Sequence, residues 1–563
     1  MPLATPLLPI TILLLGAALL PLTKRVARGQ VRYGLTLLVA GSFLAVTLSL
    51  YWSRSKDIIL PLWRPASLFG TELGYQADSL SLLFAALIGF ITLVVIIAQG
   101  AFLTSGEQYH HPYGAIFLIA AGAVSLIFAA DLVTLCLSWS FLDLGLLFLI
   151  AFVHRGKASS RTGLRLLAIN YLAGLALLAS LLILQGLGET ATLQTTLLPS
   201  RVVSLVLLAT LMRLGLYPAL VTLPADVEMS LPTVIFWYII PFSAGAYLLA
   251  RITTLAPVAP VPGREIALFL GSLALVLSPF PLWFETSLKR AASFLVLNQV
   301  GYLALASTIA SPYAAAIVSS QAISLTLALS LLFLGQLSSR EPVRHPYHIW
   351  TRGCTFVAVA SLVGTPLTLG FVGRWLLFRS LIEAALGPLI LLSLVGNSFL
   401  LSPLLKMFLE PVRQGSNQGP VRPLLLAVMT ALAVPLVILG LHPPVVEVLV
   451  GQQSALSTIP PLPVLISSVE PPLSLALMGG ILLSLTLGYL MYHKGEIIVA
   501  RAGISLETLT KVAKMEWLNS AVGWAVRWTT SILEQLGSLF EERRAVGWIL
   551  LFATLVALLV LSS

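Results

Sequence analysis

The stretch "LMRLGLYPAL", residues 211–220, decides the fold because it places a charged side chain and a helix breaker inside an apolar run. Arg213 precedes Pro218 by five residues, and the eleven residues before Arg213 carry no charge. Proline removes a helical hydrogen bond, and lipid offers the freed backbone groups no replacement. This break should therefore be buried in protein or line a hydrated cavity.

A second stretch, "GTPLTLGFVGRWLLF" at residues 364–378, repeats the combination. Gly364 and Pro366 interrupt an apolar helix, and Arg374 follows among apolar residues. Paired interrupted segments in corresponding positions of two halves are typical of inverted-repeat transporters, whose ion sites lie at the breaks. The chain therefore places a guanidinium beside a broken helix twice.

The composition excludes a soluble globular protein. Of 563 residues, 58% are hydrophobic and only 10% are charged, and the mean hydropathy is +0.98. Apolar windows long enough to cross about 30 Å of hydrocarbon recur along the chain, which predicts an all-α polytopic membrane protein with roughly sixteen transmembrane helices. The predicted spans are 5–22, 33–52, 79–98, 113–130, 131–152, 164–186, 202–220, 231–252, 266–284, 291–309, 313–336, 353–383, 385–408, 423–441, 472–491 and 546–562.

The net charge of +10 does not indicate nucleic acid as a partner, because the basic residues lie in short loops between spans. Basic clusters follow the first, fifth and eleventh spans, so these loops are expected in the cytoplasm. We therefore expect both termini on the outer side of a bacterial plasma membrane. Residues 1–22 lack a basic n-region and a small-residue cleavage site, which favours a retained span.

Two segments between spans have their own character. Residues 53–78 are strand-like and rich in turn residues, and we expect a hairpin on the outside. Residues 502–545 place apolar and Trp residues at three- and four-residue spacing beside charged ones, which indicates an amphipathic helix along the membrane surface or a partner. An interfacial lipid anchor and a partner contact both fit this pattern.

Five stretches, in order, resemble motifs of one family. They are "YQADSLSLLFAAL" (75–87), "AADLVTLCLSWSFLDL" (129–144), "LYPALVTLPAD" (216–226), "SLKRAASFLVLNQVGYLALA" (287–306) and "GTPLTLGFVGRWLL" (364–377). The chain resembles the antiporter-like membrane subunits of respiratory complex I (NADH-quinone oxidoreductase), which are related to Mrp-type antiporter subunits and to membrane subunits of energy-converting hydrogenases. The resemblance implies two inverted five-helix repeats, broken seventh and twelfth helices, and a line of ionisable residues that carries protons.

The resemblance also sets the expected organisation and partners. The partners it implies are other membrane subunits of one complex, including similar antiporter-like subunits, within the lipid bilayer. The predicted segments are N-terminal spans with the outside hairpin (1–112), a first antiporter-like repeat (113–252), a second repeat (266–408), C-terminal spans (423–491), the amphipathic surface helix (494–545) and a last span (546–563).

Several positions depart from the family pattern. Of the charged positions that the family implies, Lys289 matches. The departures are Ser140 for the fifth-helix Glu, Arg213 for the seventh-helix Lys, Leu220 and Thr222 after it, Trp237 and Ser243 in the eighth helix, Leu325 and Leu329 in the eleventh, and Arg374 for the twelfth-helix Lys or Glu.

The arginines change the expected chemistry. A buried lysine can lose its proton near neutral pH, whereas arginine stays protonated. Arg213 and Arg374 are therefore predicted to be fixed charges, serving either as static braces for the breaks or as electrostatic gates. Asp143 follows Ser140 by three residues and lies on nearly the same helix face. Asp143 either replaces the missing Glu or belongs to a buried structural pair, and we predict that it lies within salt-bridge reach of Arg213. We expect Glu383, a neighbouring subunit or water to accompany Arg374.

The other charged candidates are ambiguous. Glu285 and Lys289 belong to a cytoplasmic turn that either marks topology or contributes to a proton path. Asp226, after the first break, either collects protons at a channel mouth or lies in an exposed loop. We find no catalytic residue, metal cluster or dinucleotide motif, so no cofactor is expected on this chain and redox chemistry belongs to other subunits.

Three functional hypotheses remain at this point. The chain is a proton-translocating subunit of a complex I-type or energy-converting oxidoreductase, or a degenerate subunit of such a complex that is mainly structural. The alternative is a subunit of an Mrp-type cation/proton antiporter.

Overall fold

The computed structural model describes most of the chain, in two compact units, Met1–Gly503 and Ile504–Ser563. The described residues are 5–23, 29–52, 57–60, 73–100, 113–153, 157–187, 193, 198–220, 231–255, 263–285, 287–309, 311–338, 347–409, 423–445, 461–467 and 471–495, with isolated positions between 497 and 531.

Among the described residues of the first unit, the regular elements are helices and one hairpin. In chain order its elements are α1 (Leu7–Leu22), α2 (Gly29–Trp52), β1 (Asp57–Leu60), β2 (Leu73–Gln76), α3 (Ser79–Gly100), α4 (Tyr113–Phe128), α5 (Leu132–Val153), α6 (Lys157–Gly186), α7 (Ser200–Arg213), α8 (Leu231–Leu255), α9 (Arg264–Leu277), α10 (Pro279–Leu282), α11 (Leu288–Thr308), α12 (Ala314–Ser338), α13 (Tyr347–Val363), α14 (Leu369–Glu383), α15 (Gly387–Leu409), α16 (Pro423–Leu441), α17 (Leu462–Ser467) and α18 (Pro471–His493).

The membrane architecture agrees with the prediction. A helix lies in every predicted span from the first to the fifteenth. Among the described residues, eleven helices are long and apolar enough to cross a membrane, and three apolar helices are shorter: Leu7–Leu22, Tyr113–Phe128 and Ile349–Val363. The sixteenth predicted span, 546–562, lies outside the described residues. This chain is an integral membrane protein.

The hairpin expected at 53–78 is present. Strands β1 and β2 pair antiparallel with Asp57 opposite Gln76 and Leu60 opposite Leu73. The hairpin is attached to the α4–α5 junction, where the Asp131 carboxylate accepts hydrogen bonds from the backbone N–H groups of Gly74 (2.9 Å) and Thr134 (2.7 Å). Asp131 therefore caps α5, as expected for a carboxylate at the start of a span.

Two runs of helices share one feature. In α4–α8 the fourth helix, α7, stops early, and in α9–α15 the fourth span is divided into α13 and α14. This order matches the broken seventh and twelfth helices of the sequence prediction, whereas the inverted relation of the two repeats stays a prediction. The apolar window of α12, Ala314–Gln336, is completely buried, so α12 forms the centre of the unit, in contact with α8, α13 and α14.

The predicted surface helix falls mainly on residues outside the described part. In the second unit, Trp524 and Trp528 are exposed and their rings stack at 6.3 Å between centroids. Their spacing of four residues is the one that the amphipathic pattern predicted.

Candidate functional site

A glycine causes the first helix break. Helix α7 ends at Arg213, and Gly215 has a φ of +80°, a conformation that glycine adopts at little cost. The Leu216 N–H donates to the Leu211 carbonyl at 3.0 Å, which closes a Schellman cap. The sequence attributed the break to Pro218, but the helix has already ended when the chain reaches that residue.

The second break uses the same device. Helix α13 ends at Val363, Gly364 has a φ of +74°, and the Thr365 N–H donates to the Ala360 carbonyl at 2.9 Å. Pro366 lies in the linker, and α14 begins at Leu369. Glycine therefore ends both helices, and proline only keeps the following residues out of the helix.

The first charge site consists of Asp143, Trp139, Asn170 and Arg213. Nη2 of Arg213 donates to Oδ1 of Asp143 at 2.5 Å, and the Arg213 and Asp143 side chains are 1% and 7% exposed. The Asn170 amide donates to the same carboxylate oxygen at 3.0 Å. The guanidinium carbon lies 3.8 Å from the centroid of the Trp139 ring, and a desolvated cation–π contact of this kind is worth about 2 kcal/mol. The predicted pairing of Asp143 with Arg213 is confirmed.

A cavity of about 70 Å³ adjoins this site. Its lining includes Arg213, Asn170, Trp237, Tyr238 and Ser293. Nε and Nη1 of Arg213 are buried and have no hydrogen-bond partner among the described residues. Most of the lining is apolar, but the cavity is large enough for a water molecule, which could bind these two donors.

The charged turn at the start of α11 lies beside the same cavity. The Tyr238 hydroxyl donates to the Lys289 carbonyl at 3.0 Å, and the Ser293 hydroxyl donates to the Arg290 carbonyl at 2.6 Å. Glu285 forms an ion pair with Arg290 at 3.0 Å. The backbone carbonyls of Lys289 and Arg290 thus accept hydrogen bonds from two residues that line the cavity, and Glu285 is linked to this turn by its ion pair with Arg290. Asp226 lies outside the described residues.

The second charge site consists of Arg374, Tyr302, Asn397 and the carbonyls that end α13. Nη1 of Arg374 donates to Oδ1 of Asn397 at 2.7 Å, and the guanidinium also donates to the carbonyls of Leu362 and Val363. The Tyr302 ring centroid lies 4.4 Å from the guanidinium carbon. Carbonyls at a helix C-terminus carry partial negative charge and attract a cation. Arg374, which is 3% exposed, is therefore stabilised by dipoles.

The expected acidic partner of Arg374 is not Glu383. Glu383 pairs with Arg379 instead, at 2.9 Å and one helical turn away. Within the part of the chain that the structure describes, no carboxylate forms an ion pair with Arg374. The sequence could not identify Asn397 or the α13 carbonyls, because a buried amide is common in a span and a free carbonyl exists only once the helix end is placed.

Two pairs of hydroxyl groups lie at α12, one where it contacts α8 and the other where it contacts α13. Ser243 on α8 lies 3.3 Å from Thr326 on α12, and Ser324 on α12 lies 2.8 Å from Ser361 on α13, measured between hydroxyl oxygens. We call these four residues the hydroxyl bridge. Leu325 and Leu329 are fully buried beside it. In the described ranges we find no group of three or more His, Cys, Asp or Glu side chains able to hold a metal.

The sequence comparison covers both broken helices. Residues 129–400 match the profile of the NADH:quinone oxidoreductase/Mrp antiporter transmembrane family. The matched region, just under half of the chain, is similar to this family. Both charge sites lie inside the matched region, including Asp143, Arg213, Arg374 and Asn397.

Individual relatives are distant. Chloroplast NAD(P)H-quinone oxidoreductase subunit 5 of Ceratophyllum demersum is 24% identical over 363 residues, which cover 60% of this chain and 48% of the relative. The chain thus spans about half the length of this relative. NADH-quinone oxidoreductase subunit N 1 of Acidiphilium cryptum is 26% identical over 337 residues, which cover 55% of this chain and 69% of the relative.

The solved structures extend the likeness to nearly the whole chain. A chain of the Mrp complex from Dietzia sp. DQ12-45-1b has a TM-score of 0.75 at 20% identity, covering 99% of this chain and 63% of that one. At this identity the likeness shows the fold. The family profile and the curated relatives name NADH-quinone oxidoreductase and Mrp antiporter proteins, and the solved structure has the same fold as this chain.

Proposed function

We propose that the chain is a membrane subunit of a proton-translocating oxidoreductase related to complex I, and that its two charge sites act as fixed electrostatic and structural elements. The observation that supports this proposal most strongly is the pair of arginines at the two helix breaks. Each guanidinium is buried and is held by several partners. A group that stays protonated near pH 7 cannot pass a proton on.

The first charge site keeps one titratable group, Asp143. Arg213 and Asn170 both donate to its Oδ1 atom. Accepting a proton would leave Arg213 as an uncompensated buried charge, and breaking a buried pair in this way costs about 3–5 kcal/mol. Asp143 therefore serves as the permanent counter-ion of Arg213, and the pair joins α5 to α7.

The hydroxyl bridge supports the same conclusion. Its four side chains are Ser or Thr, and the positions that the family resemblance assigns to ionisable residues in the eighth and eleventh helices hold Trp237, Ser243, Leu325 and Leu329. Hydroxyls can orient water, but their pKa values lie far outside the range in which they hold a proton as a carrier. The subunit therefore supports its neighbours in the membrane, while redox chemistry and any cofactor belong to partner subunits.

Co-purification tests the class of assembly. The chain with an affinity tag at one terminus is purified from its own membranes in mild detergent, and the bound proteins are identified by mass spectrometry. We expect peripheral iron–sulfur subunits together with other antiporter-like subunits. Recovery of small antiporter subunits alone, without any electron-transfer subunit, would contradict the proposal.

An Mrp-type cation/proton antiporter is the second candidate, because the Mrp complex chain matches 99% of this chain with a TM-score of 0.75. The same purification separates the two candidates.

Tags at the two termini, compared with one in residues 155–165, test the proposed placement of both termini on the outer side of a bacterial plasma membrane.

A further inference from the structure

Buried polar side chains lie on two faces of α12 and lead to Arg374, and we call them the polar route. Ser243 contacts Thr326, and Ser324 contacts Ser361. Thr326 and Ser324 are two residues apart on α12, and no hydrogen bond between them is found among the described residues. The residue after Ser361, Leu362, offers a carbonyl that accepts hydrogen bonds from Gln299 on α11, at 3.1 Å, and from Arg374. Every side chain on this route before Arg374 is a hydroxyl or an amide, so the route is polar but uncharged.

Charge distinguishes the two ends of the route. At the first end, Asp143 neutralises Arg213. At the second end, the guanidinium of Arg374 has only neutral partners among the residues that the structure describes: two carbonyls, the Asn397 amide and the Tyr302 ring. Counting the described residues, the second end therefore carries a net positive charge.

We infer that Arg374 is a selectivity residue that prevents protons and other cations from passing along the polar route between the two repeats. At 4 Å and an effective dielectric constant of about 20, the repulsion between two unit charges lowers the occupancy of a second cation by about a thousandfold. An arginine keeps this barrier at every physiological pH, whereas a buried lysine would lose it each time it released its proton.

Asn397 determines whether the barrier is present. Its Oδ1 atom lies 2.7 Å from Nη1 of Arg374, and its amide nitrogen donates to the Val363 carbonyl at 3.0 Å and to the Ser484 hydroxyl at 3.3 Å. A carboxylate in this place would cancel the charge of Arg374, as Asp143 cancels that of Arg213. Asn397→Asp is nearly isosteric, so it removes the barrier without removing the arginine.

The inference rests on the proposed function only in assuming that this subunit is not itself a proton carrier, and its test needs no turnover. The whole purified assembly is reconstituted in liposomes, and proton entry is measured with a pH-sensitive dye under a potassium diffusion potential, without substrate. We expect Asn397→Asp to raise passive proton conductance at least tenfold. Asn298→Asp is the control for an added carboxylate, because Oδ1 of Asn298 accepts a hydrogen bond from Gln299 on the route at 3.4 Å, whereas its amide donates to Ser278 and Leu275 and not to Arg374. It leaves the charge of Arg374 unpaired and should leave the conductance unchanged.

Arg374→Lys provides a second, independent variant, because it keeps a cation that can titrate. This variant should raise the proton conductance by a smaller factor than Asn397→Asp. If the Asn397→Asp assembly does not form, the Arg374→Lys variant alone tests whether Arg374 blocks cations. Conductance within twofold of wild type in the variants that assemble would overturn the inference. Failure of the proposed function is distinguishable, since it would appear as missing electron-transfer subunits in the purification.

Discussion

The two charge sites begin with the same local structure and stabilise a buried arginine in different ways. Each follows a helix that ends in a glycine-based Schellman cap. At the first site the arginine lies on the helix that ends, α7, and a carboxylate on α5 neutralises it. At the second site the arginine lies on the helix after the break, α14, and reaches back to the carbonyls that end α13.

This difference shows two solutions to one physical problem. An isolated charge in the middle of a membrane costs at least about 2.5 kcal/mol on insertion scales. A counter-ion removes the net charge, whereas helix-end dipoles stabilise the charge but leave its field in place. An aromatic face contributes in both sites, with Trp139 at 3.8 Å and Tyr302 at 4.4 Å from the guanidinium carbon.

Breaking the first site should have the largest effect on stability. Arg213→Met leaves the buried Asp143 without its partner, and we expect a loss of about 3–5 kcal/mol in the free energy of unfolding. The double variant Asp143→Leu with Arg213→Met should recover most of this loss, because no charge is then left unpaired. Thermal unfolding of the purified assembly measures both.

Arg379→Met serves as the control for this variant, because Arg379 pairs with Glu383 at a partly exposed position. Its effect should stay below about 1 kcal/mol. A single Arg213 variant as stable as this control would show that the ion pair does not brace the break.

Alanine substitutions of the two cap glycines test whether Arg374 must lie against the second break. Gly215 and Gly364 have similar positive φ values, +80° and +74°, so alanine at either position adopts a left-handed conformation that costs about 1–2 kcal/mol. A Cβ on Gly215 meets no atom within 4 Å, whereas a Cβ on Gly364 lies 2.6 Å from Cδ of Arg374. Gly364→Ala should therefore destabilise more than Gly215→Ala in the same unfolding measurement, and equal losses would mean that Arg374 does not need its place against the break.

The ion pair between Asp78 and Arg251 provides a reference nearer the surface. The Asp78 side chain is 33% exposed, and it lies 2.5 Å from Nη2 of Arg251. Burial alone raises the pKa of Asp78, but the Arg251 charge and the hydrogen bonds from Ser81 outweigh it and lower the pKa below the usual value. Stabilisation by Asp78 is then fully present above the unfolded pKa of about 3.9 and is lost as pH falls through the lower, folded pKa.

Asp78→Asn should therefore have the smallest effect, about 1 kcal/mol or less. The difference in melting temperature from wild type should stay constant between pH 5 and 8 and shrink only in more acidic buffer. A difference that grows as pH falls from 8 to 5 would contradict this sign.

The sequence predicts the first site better than the second. Asp143 could be paired with Arg213 because an acid in a span needs a partner. The expectation that Asp143 shares a helix face with Ser140 was wrong, since Ser140 is exposed and Asp143 is buried. The partners of Arg374 are mostly backbone carbonyls, which every residue has, so they cannot be identified from residue types in the sequence. Gly215 was overlooked for a related reason: Pro218 is the stronger breaker in a sequence, but the αL conformation that ends the helix is visible only in the structure.

In this account the Asp143–Arg213 pair is a static brace. Measuring the proton-to-electron ratio of the assembly that carries Asp143→Asn tests this role. The variant removes the one carboxylate of the two charge sites and leaves Arg213 with a neutral partner. We expect a lower melting temperature and, in reconstituted liposomes during turnover, a ratio equal to that of wild type. A lower ratio with unchanged thermal stability would contradict the brace and identify Asp143 as part of a proton relay.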